Sequence, residues 1–138
     1  MNIIIDTNIF ISALIKDGHV RNLIVHSKDA LFLPEFELEE IYKNREEIIK
    51  KAKLTEKEFL MLVLRLLSYV KIVPNDICIK YETTAFRIMA NIDIDDVQFI
   101  AAALALNAIV WSDDNHFQKQ KEVKVVTTRE ISSKFMLY

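Results

Sequence analysis

Asn2-Ile3-Ile4-Ile5-Asp6-Thr7-Asn8 is the stretch from which the fold can be read. Its apolar run is continuous, β-branched and too short for a helix. It lacks the alternation of a strand with one wet face, so it predicts a strand buried on both sides. Such strands belong to parallel sheets whose two faces are covered by helices. Asp6 ends the run. In open parallel sheets ligands bind beyond the carboxyl ends of the strands, so Asp6 stands where chemistry is expected.

The rest of the chain repeats that alternation. Residues 10–13 and 20–27 predict helix, and residues 30–33 a second short strand closed by Pro34. Residues 35–53 read as one helix, with apolar positions at Leu38, Ile41, Tyr42, Ile48, Ile49 and Ala52. Thr55 with Glu58 three residues on is a capping box, opening a helix over residues 59–70. Residues 71–73 suit a short edge strand. Residues 76–90 and 95–106 predict helices, the second Ala-rich, and Asn107 suits a left-handed C-terminal position. Residues 108–112 and 123–126 read as strands, 116–121 as a short helix and 128–135 as a last helix. Strands separated by helices imply an α/β fold: a three-layer α/β/α sandwich with a central parallel sheet, formed as one domain over residues 1–138.

Composition agrees and excludes several classes. A chain of 138 residues with 51% hydrophobic content can bury a core without a disulfide or structural metal. A single cysteine, Cys78, makes no intrachain disulfide and no CxxC zinc pair, and fits a reducing cytosol. One glycine, Gly18, removes Gly-rich phosphate loops and dinucleotide fingerprints from consideration. No basic n-region precedes the first apolar run, so no targeting segment is expected. The apolar stretch 59–73 is interrupted by Arg65, Ser68 and Lys71 and is too short to span a bilayer. A net charge of −2 means that phosphate contact must come from local basic patches or bound metal.

Four acidic positions carry the chemical argument. Asp6 follows the first strand, and Asp113 and Asp114 follow the strand over residues 108–112. Asp96 heads the Ala-rich helix, whose Ala101, Ala102, Ala103 and Ala105 permit close approach to the sheet. Glu40 lies on the helix after Pro34. Each has an ordinary reading as a cap, a turn former or, like Glu35, Glu37 and Glu39, a solvated charge. Their conjunction points elsewhere: converging carboxylates repel one another and need a cation. Oxygen ligands without His or Cys select Mg²⁺ or Mn²⁺, which activate water and neutralise phosphodiester charge.

These same segments resemble the PIN-domain nucleases. Ile4-Ile5-Asp6-Thr7-Asn8-Ile9-Phe10 is similar to that family's opening signature. The segment from Leu33 through Ile41 resembles its second motif, with Glu40 on the acidic position. Asp93-Ile94-Asp95-Asp96-Val97 and the residues up to Ala103 resemble the third, with Asp96 on the central acid. Trp111-Ser112-Asp113-Asp114-Asn115-His116-Phe117 resembles the fourth, with Ser112 at the hydroxyl position, usually Thr, and Asp114 at the acid. The resemblance spans essentially the whole chain, with the motifs in family order. It implies an α/β/α sandwich and Mg²⁺- or Mn²⁺-dependent hydrolysis of RNA phosphodiesters. It also implies a cytoplasmic VapC-type toxin, with an antitoxin protein and a homodimer as partners. On that basis Asp6, Asp96 and Asp114 are metal ligands, and Glu40 is a ligand or orients the water nucleophile. Asn8 and Ser112 hold carboxylates or water, with Asp93 and Asp113 as secondary candidates. Whether Asp113 or Asp114 faces the cation stays open.

Other features are assigned lesser roles. His19, His26 and His116 lack metal spacing and read as surface or capping residues. Trp111 reads as core. Lys43, Arg45, Lys50, Lys51, Lys53 and Lys57 form a solvated helix face that is also the best candidate for contact with the RNA backbone. Arg87 is a second candidate, and Lys119, Lys121 and Lys124 a third. The run from Phe59 to Leu67 is apolar on all sides, which calls for burial by its own neighbours or by a partner chain. Two other functions compete: a PIN-like module that binds RNA or protein without cleaving, and a phosphoacceptor receiver. The receiver reading wants paired acids after the first strand and a late strand-ending Lys, and this chain has neither.

Overall fold

The structure, a computed structural model, describes residues 1–135. Strand β1 (Asn2–Ile5) is followed by helices α1 (Thr7–Ile15) and α2 (His19–Val25), strand β2 (Ala30–Pro34) and helices α3 (Glu37–Lys43), α4 (Arg45–Ala52) and α5 (Glu56–Leu67). After strand β3 (Lys71–Val73) come α6 (Asn75–Ile79), α7 (Glu82–Met89) and α8 (Val97–Leu106), then β4 (Ile109–Trp111), β5 (Val125–Val126) and α9 (Thr128–Phe135). The five strands form one sheet in the order β3-β2-β1-β4-β5, and every pairing is parallel. The fold is the expected α/β/α sandwich.

Burial on both faces explains the unbroken apolar run of β1. Ile3 and Ile5 enter one core together with Leu31, Leu33 and Trp111, packed on α1, α2, α4, α5 and α9. Ile4 points the other way, into a second core with Val73, Val110, Phe117 and the α8 residues Phe99 to Ala103. The alanines of α8 let that helix lie close against β1, β2 and β4. Strand order reverses at β1, which has β2 on one side and β4 on the other. Chain crossovers leave this point in opposite directions, so a crevice opens at the carboxyl ends of β1 and β4.

Several expected elements are shorter or divided. The single helix over residues 35–53 is two, broken at Asn44 (φ −93°, ψ 9°). The Asn44 amide donates to the Glu40 carbonyl at 2.8 Å, the local competition that makes Asn a poor helix interior. The helix over residues 76–90 divides at Lys80 and Tyr81, where no Gly or Pro marks the break. A 3-10 turn, Ile94–Asp96, precedes α8. The helix over residues 116–121 reduces to the turn Phe117–Lys119, and the last strand to two residues. The capping box of Thr55 and Glu58 is present, and Asn107 adopts φ 50° and ψ 51°.

Helix α5 departs from the expectation of all-round burial. Phe59 and Leu66 are buried, whereas Leu60, Met61 and Leu64 are 50%, 54% and 70% exposed. Its own neighbours among the described residues cover one face only. Within those residues, no helix is long and apolar enough to cross a membrane.

Candidate metal centre

The crevice at the carboxyl ends of β1 and β4 is a cavity of about 600 Å³. The carboxylates that line it are Asp6, Glu37, Glu40, Asp93, Asp95, Asp96 and Asp114, and no Lys or Arg among the described residues joins them. They arrive on four devices of the fold. Asp6 leaves β1 and caps α1, its side chain accepting from the Asn8 backbone N–H at 3.3 Å. The 3-10 turn before α8 is capped by Asp93, whose carboxylate accepts from the Asp95 N–H at 3.0 Å, and this turn delivers Asp96. Glu37, Glu40 and Asn44 follow at helical spacing, on the side of α3 that faces the cavity.

Ser112, fully buried at the end of β4, ties the two strand ends together. Its hydroxyl donates to Asp6 Oδ2 at 2.7 Å and accepts the Asp114 backbone N–H at 3.0 Å. One small side chain therefore sets the spacing of two carboxylates 108 positions apart in sequence. Asp113 and Asp114 differ in placement. Asp113 turns away and caps α9, accepting the Thr128 N–H at 2.7 Å and its hydroxyl at 2.6 Å. Trp111 Nε1–H donates to the same Thr128 hydroxyl at 3.0 Å. Asp114 is left to line the cavity.

Two residues that the sequence reading set aside belong here. Glu37, read as one more solvated charge, is only 5% exposed and accepts a hydrogen bond from the Thr7 hydroxyl at 2.9 Å. The signal was its helical spacing from Glu40. His116, read as a surface or capping residue, places Nδ1 3.1 Å from Asp93 Oδ2 and 3.4 Å from Asp114 Oδ1. Asp93, Asp96 and His116 each offer a donor atom, all within 4.8 Å of one another. His19 and His26 lie elsewhere, against Ser132 and the Asn22 carbonyl.

The electrostatics describe a site built for positive charge. Burial raises the Asp6 carboxyl above its ordinary value, offset by its bonds to Ser112 and Asn8 and reinforced by Asp114 and Asp113. Burial likewise raises Glu37, helped by Glu40, Asp6 and Asp95 and opposed by the Thr7 hydroxyl. Asp96 moves furthest, to about 7, through burial and the repulsion of Asp93, Asp6, Asp114 and Asp95. Its Oδ2 is buried and accepts no hydrogen bond. Buried carboxylate oxygens are ordinarily paired, so an unpaired one here suits a cation as its partner. An all-oxygen core with one imidazole at its edge fits Mg²⁺ or Mn²⁺.

None of the expected backbone contacts, Lys43, Arg45, Lys50, Lys51 and Arg87, lines the cavity. Arg45 stacks on the Tyr42 ring at 4.1 Å, while Lys51 pairs with Glu47 at 2.7 Å and Arg87 with Glu122 at 3.8 Å. Lys43 lines a separate surface groove with Leu38, Glu39 and Tyr42.

The class that fold and site define is a doubly wound α/β protein that gathers carboxylates from four segments at its switch point. The chain belongs to the PIN-domain family, whose model, described as PIN domain, matches residues 4–136. Solved structures share the fold. A chain of the VapBC2 structure from Rickettsia felis, bound to a promoter DNA fragment, is 18% identical with a TM-score of 0.71, covering 92% of this chain and 98% of that one. A chain of DNA-bound VapBC from Salmonella typhimurium is 13% identical with a TM-score of 0.74, covering 93% and 98%. A chain of VapBC-1 from nontypeable Haemophilus influenzae is 20% identical with a TM-score of 0.67, covering 94% and 99%. Comparison with curated protein sequences finds no match.

Proposed function

We propose that this chain is a divalent-metal-dependent endoribonuclease that hydrolyses RNA phosphodiester bonds and serves as the toxin of a toxin–antitoxin pair. The observation that carries the reading is the buried, unpaired Oδ2 of Asp96, whose carboxyl is raised to about 7 by burial and by the carboxylates around it. Such an arrangement is costly to keep unless a cation completes it.

Asp6, Asp96 and Asp114 hold the Mg²⁺ or Mn²⁺, directly or through water, with Glu40 as a further ligand or as the group that orients the attacking water. Asn8, through its backbone N–H, and Ser112 fix the Asp6 carboxylate, and Asn44 steadies Glu40 through a 3.2 Å bond to Oε1. Asp93 and His116 border the same space. Asp113 supports the site indirectly by docking α9. When bound, the ion neutralises charge on the phosphodiester and lowers the pKa of a coordinated water. Without it the cavity repels RNA, because its lining carries no Lys or Arg. Lys43, Arg45, Lys50, Lys51 and Arg87 are the candidates for guiding the backbone across the mouth.

The structural relatives are VapBC assemblies, which supports an antitoxin protein as partner. The exposed apolar face of α5 suits a second copy of the chain. We read residues 1–138 as one domain working in the cytoplasm, where Cys78 stays a free, buried thiol.

The test is cleavage of an RNA panel with Mg²⁺, Mn²⁺ or EDTA. Cleavage with either metal, abolished by EDTA and by Asp96→Asn, is expected. Metal-independent cleavage, or RNA binding with no cleavage, overturns the reading, and the second result identifies a non-cleaving binding module.

A further inference from the structure

Beside the acid cavity lies a shallow cleft of about 350 Å³, lined by Glu82, Thr83, Phe86, Ile94, Val97 and Gln98. Ile94, Val97 and Gln98 line the acid cavity as well, so the two spaces adjoin. The cleft is apolar where the cavity is charged. Phe86 on α7 is 49% exposed and Ile94, two residues before Asp96, is 59% exposed. Large apolar side chains left open on two walls of one cleft suit a flat, apolar-faced ligand. The polar pair of the cleft is Gln98 and Glu82, joined by a 3.0 Å bond from Gln98 Nε2 to Glu82 Oε1. That bond leaves Glu82 Oε2, Gln98 Oε1 and one amide N–H of Gln98 for another partner.

We infer that this cleft is a nucleobase subsite: it takes the base next to the scissile phosphate, stacked on Phe86 and read along its edge by Glu82 and Gln98. The inference rests on the ribonuclease reading above and names its substrate class, a single-stranded RNA whose bases are free to leave a stack. Unpaired bases are recognised by aromatic stacking and by hydrogen bonds to their Watson–Crick edge. A nucleotide whose phosphate sat in the acid cavity would carry its base one sugar away, towards a neighbouring space such as this cleft. The edge chemistry orders the bases. Glu82 offers only acceptors, so it favours edges rich in N–H donors. Guanine presents N1–H and an N2 amino group, while its O6 can accept the free amide N–H of Gln98. Uracil presents one N–H between two carbonyls, which would face the carboxylate. Guanine therefore binds best, cytosine and adenine follow, and uracil binds worst.

The probe is 2-aminopurine riboside 5′-monophosphate with Mg²⁺, whose fluorescence falls when the base stacks and which contains no internucleotide bond to cleave. Saturable quenching is expected with the full wild-type chain. In Phe86→Ala the quench should shrink and Kd rise about tenfold, the lower part of the usual range for one base–aromatic stack. Phe86→Leu, which keeps apolar bulk without the ring, should follow it; melting curves check that both variants stay folded. Unlabelled nucleoside monophosphates should displace the probe in the order GMP, then AMP and CMP, then UMP, and Glu82→Gln should flatten that order. Absence of saturable quenching in the wild type, an unchanged Kd in both Phe86 variants, or UMP competing as well as GMP overturns the subsite. Failure of the ribonuclease reading shows separately, as no metal-dependent cleavage of the RNA panel, because mononucleotide binding is measured without cleavage.

Discussion

Replacing Asp96 by Asn should stabilise the metal-free protein at pH 8 while abolishing its activity. The Asp96 carboxyl is raised from 3.8 to about 7 by burial and four neighbouring acids. Between those values the native state holds a proton that the unfolded chain has released. Stability of the metal-free protein therefore falls as pH rises through this window, and above about 7 the loss is complete. Each tenfold change in proton affinity corresponds to about 1.4 kcal/mol, so the rise gives roughly 4 kcal/mol, reduced to about 2–4 kcal/mol because Asp96 is only partly buried. Asn keeps the shape, carries no charge and gives the crowded acids an amide donor. In EDTA, urea melts of wild type and Asp96→Asn should nearly coincide at pH 4 and separate steadily towards pH 8, the variant being the more stable. Added Mg²⁺ should restore the wild type at pH 8 and do much less for the variant, whose Mn²⁺-dependent RNA cleavage should be lost. If Asp96 only began a helix, the variant would lose about 0.5–2 kcal/mol and remain active. A variant that is destabilised in EDTA at pH 8, or that still cleaves RNA, refutes the reasoning.

Ser112→Ala should cost about 2–4 kcal/mol in urea denaturation, since it strands both a buried Asp6 oxygen and the Asp114 N–H, while Ser112→Thr should restore most of the loss. Phe59→Ala removes a side chain 2% exposed on α5 and should cost about 3–5 kcal/mol. Leu64→Glu, at a position 70% exposed, should leave the melting temperature within about 2 °C, as for surface changes of about 0.5 kcal/mol, and convert a dimer to a monomer in light scattering. An unchanged mass would remove α5 from the dimer interface.

The sandwich was legible because β1 carries its own evidence: three isoleucines in a row make sense only with both faces covered, and Ile3, Ile4 and Ile5 divide between two cores as that requires. Asn107 and the Thr55 capping box were legible for the same kind of reason, each being a local motif with a local cause. The breaks at Asn44 and Tyr81 were not. Both lie inside apolar patterns that continue at helical spacing; the Asn44 side chain competes for the Glu40 carbonyl, and no Gly or Pro announces the break at Tyr81. At the site, Asp6 and Asp114 could be placed because they follow strands. For Glu37 the helical spacing from Glu40 gave the face, but not the burial, which depends on Thr7, thirty positions away. His116 was missed for a similar reason: its neighbour Asp93 comes from a different motif.

The bond between Ser112 and Asp6 spans 106 residues, which has a consequence for when the site is assembled during synthesis. A ribosome makes Asp6 long before the hydroxyl that aims this carboxylate. Asp114 follows, and its loop is braced through Asp113 only after Thr128 has emerged. Closing so long a loop is slow and costs entropy that nearby contacts do not recover piecemeal. A nascent or prematurely terminated chain therefore exposes isolated acids with no common focus. On the proposed function, RNA near the translating ribosome, including the chain's own message, is spared until Ser112 and Thr128 have both emerged.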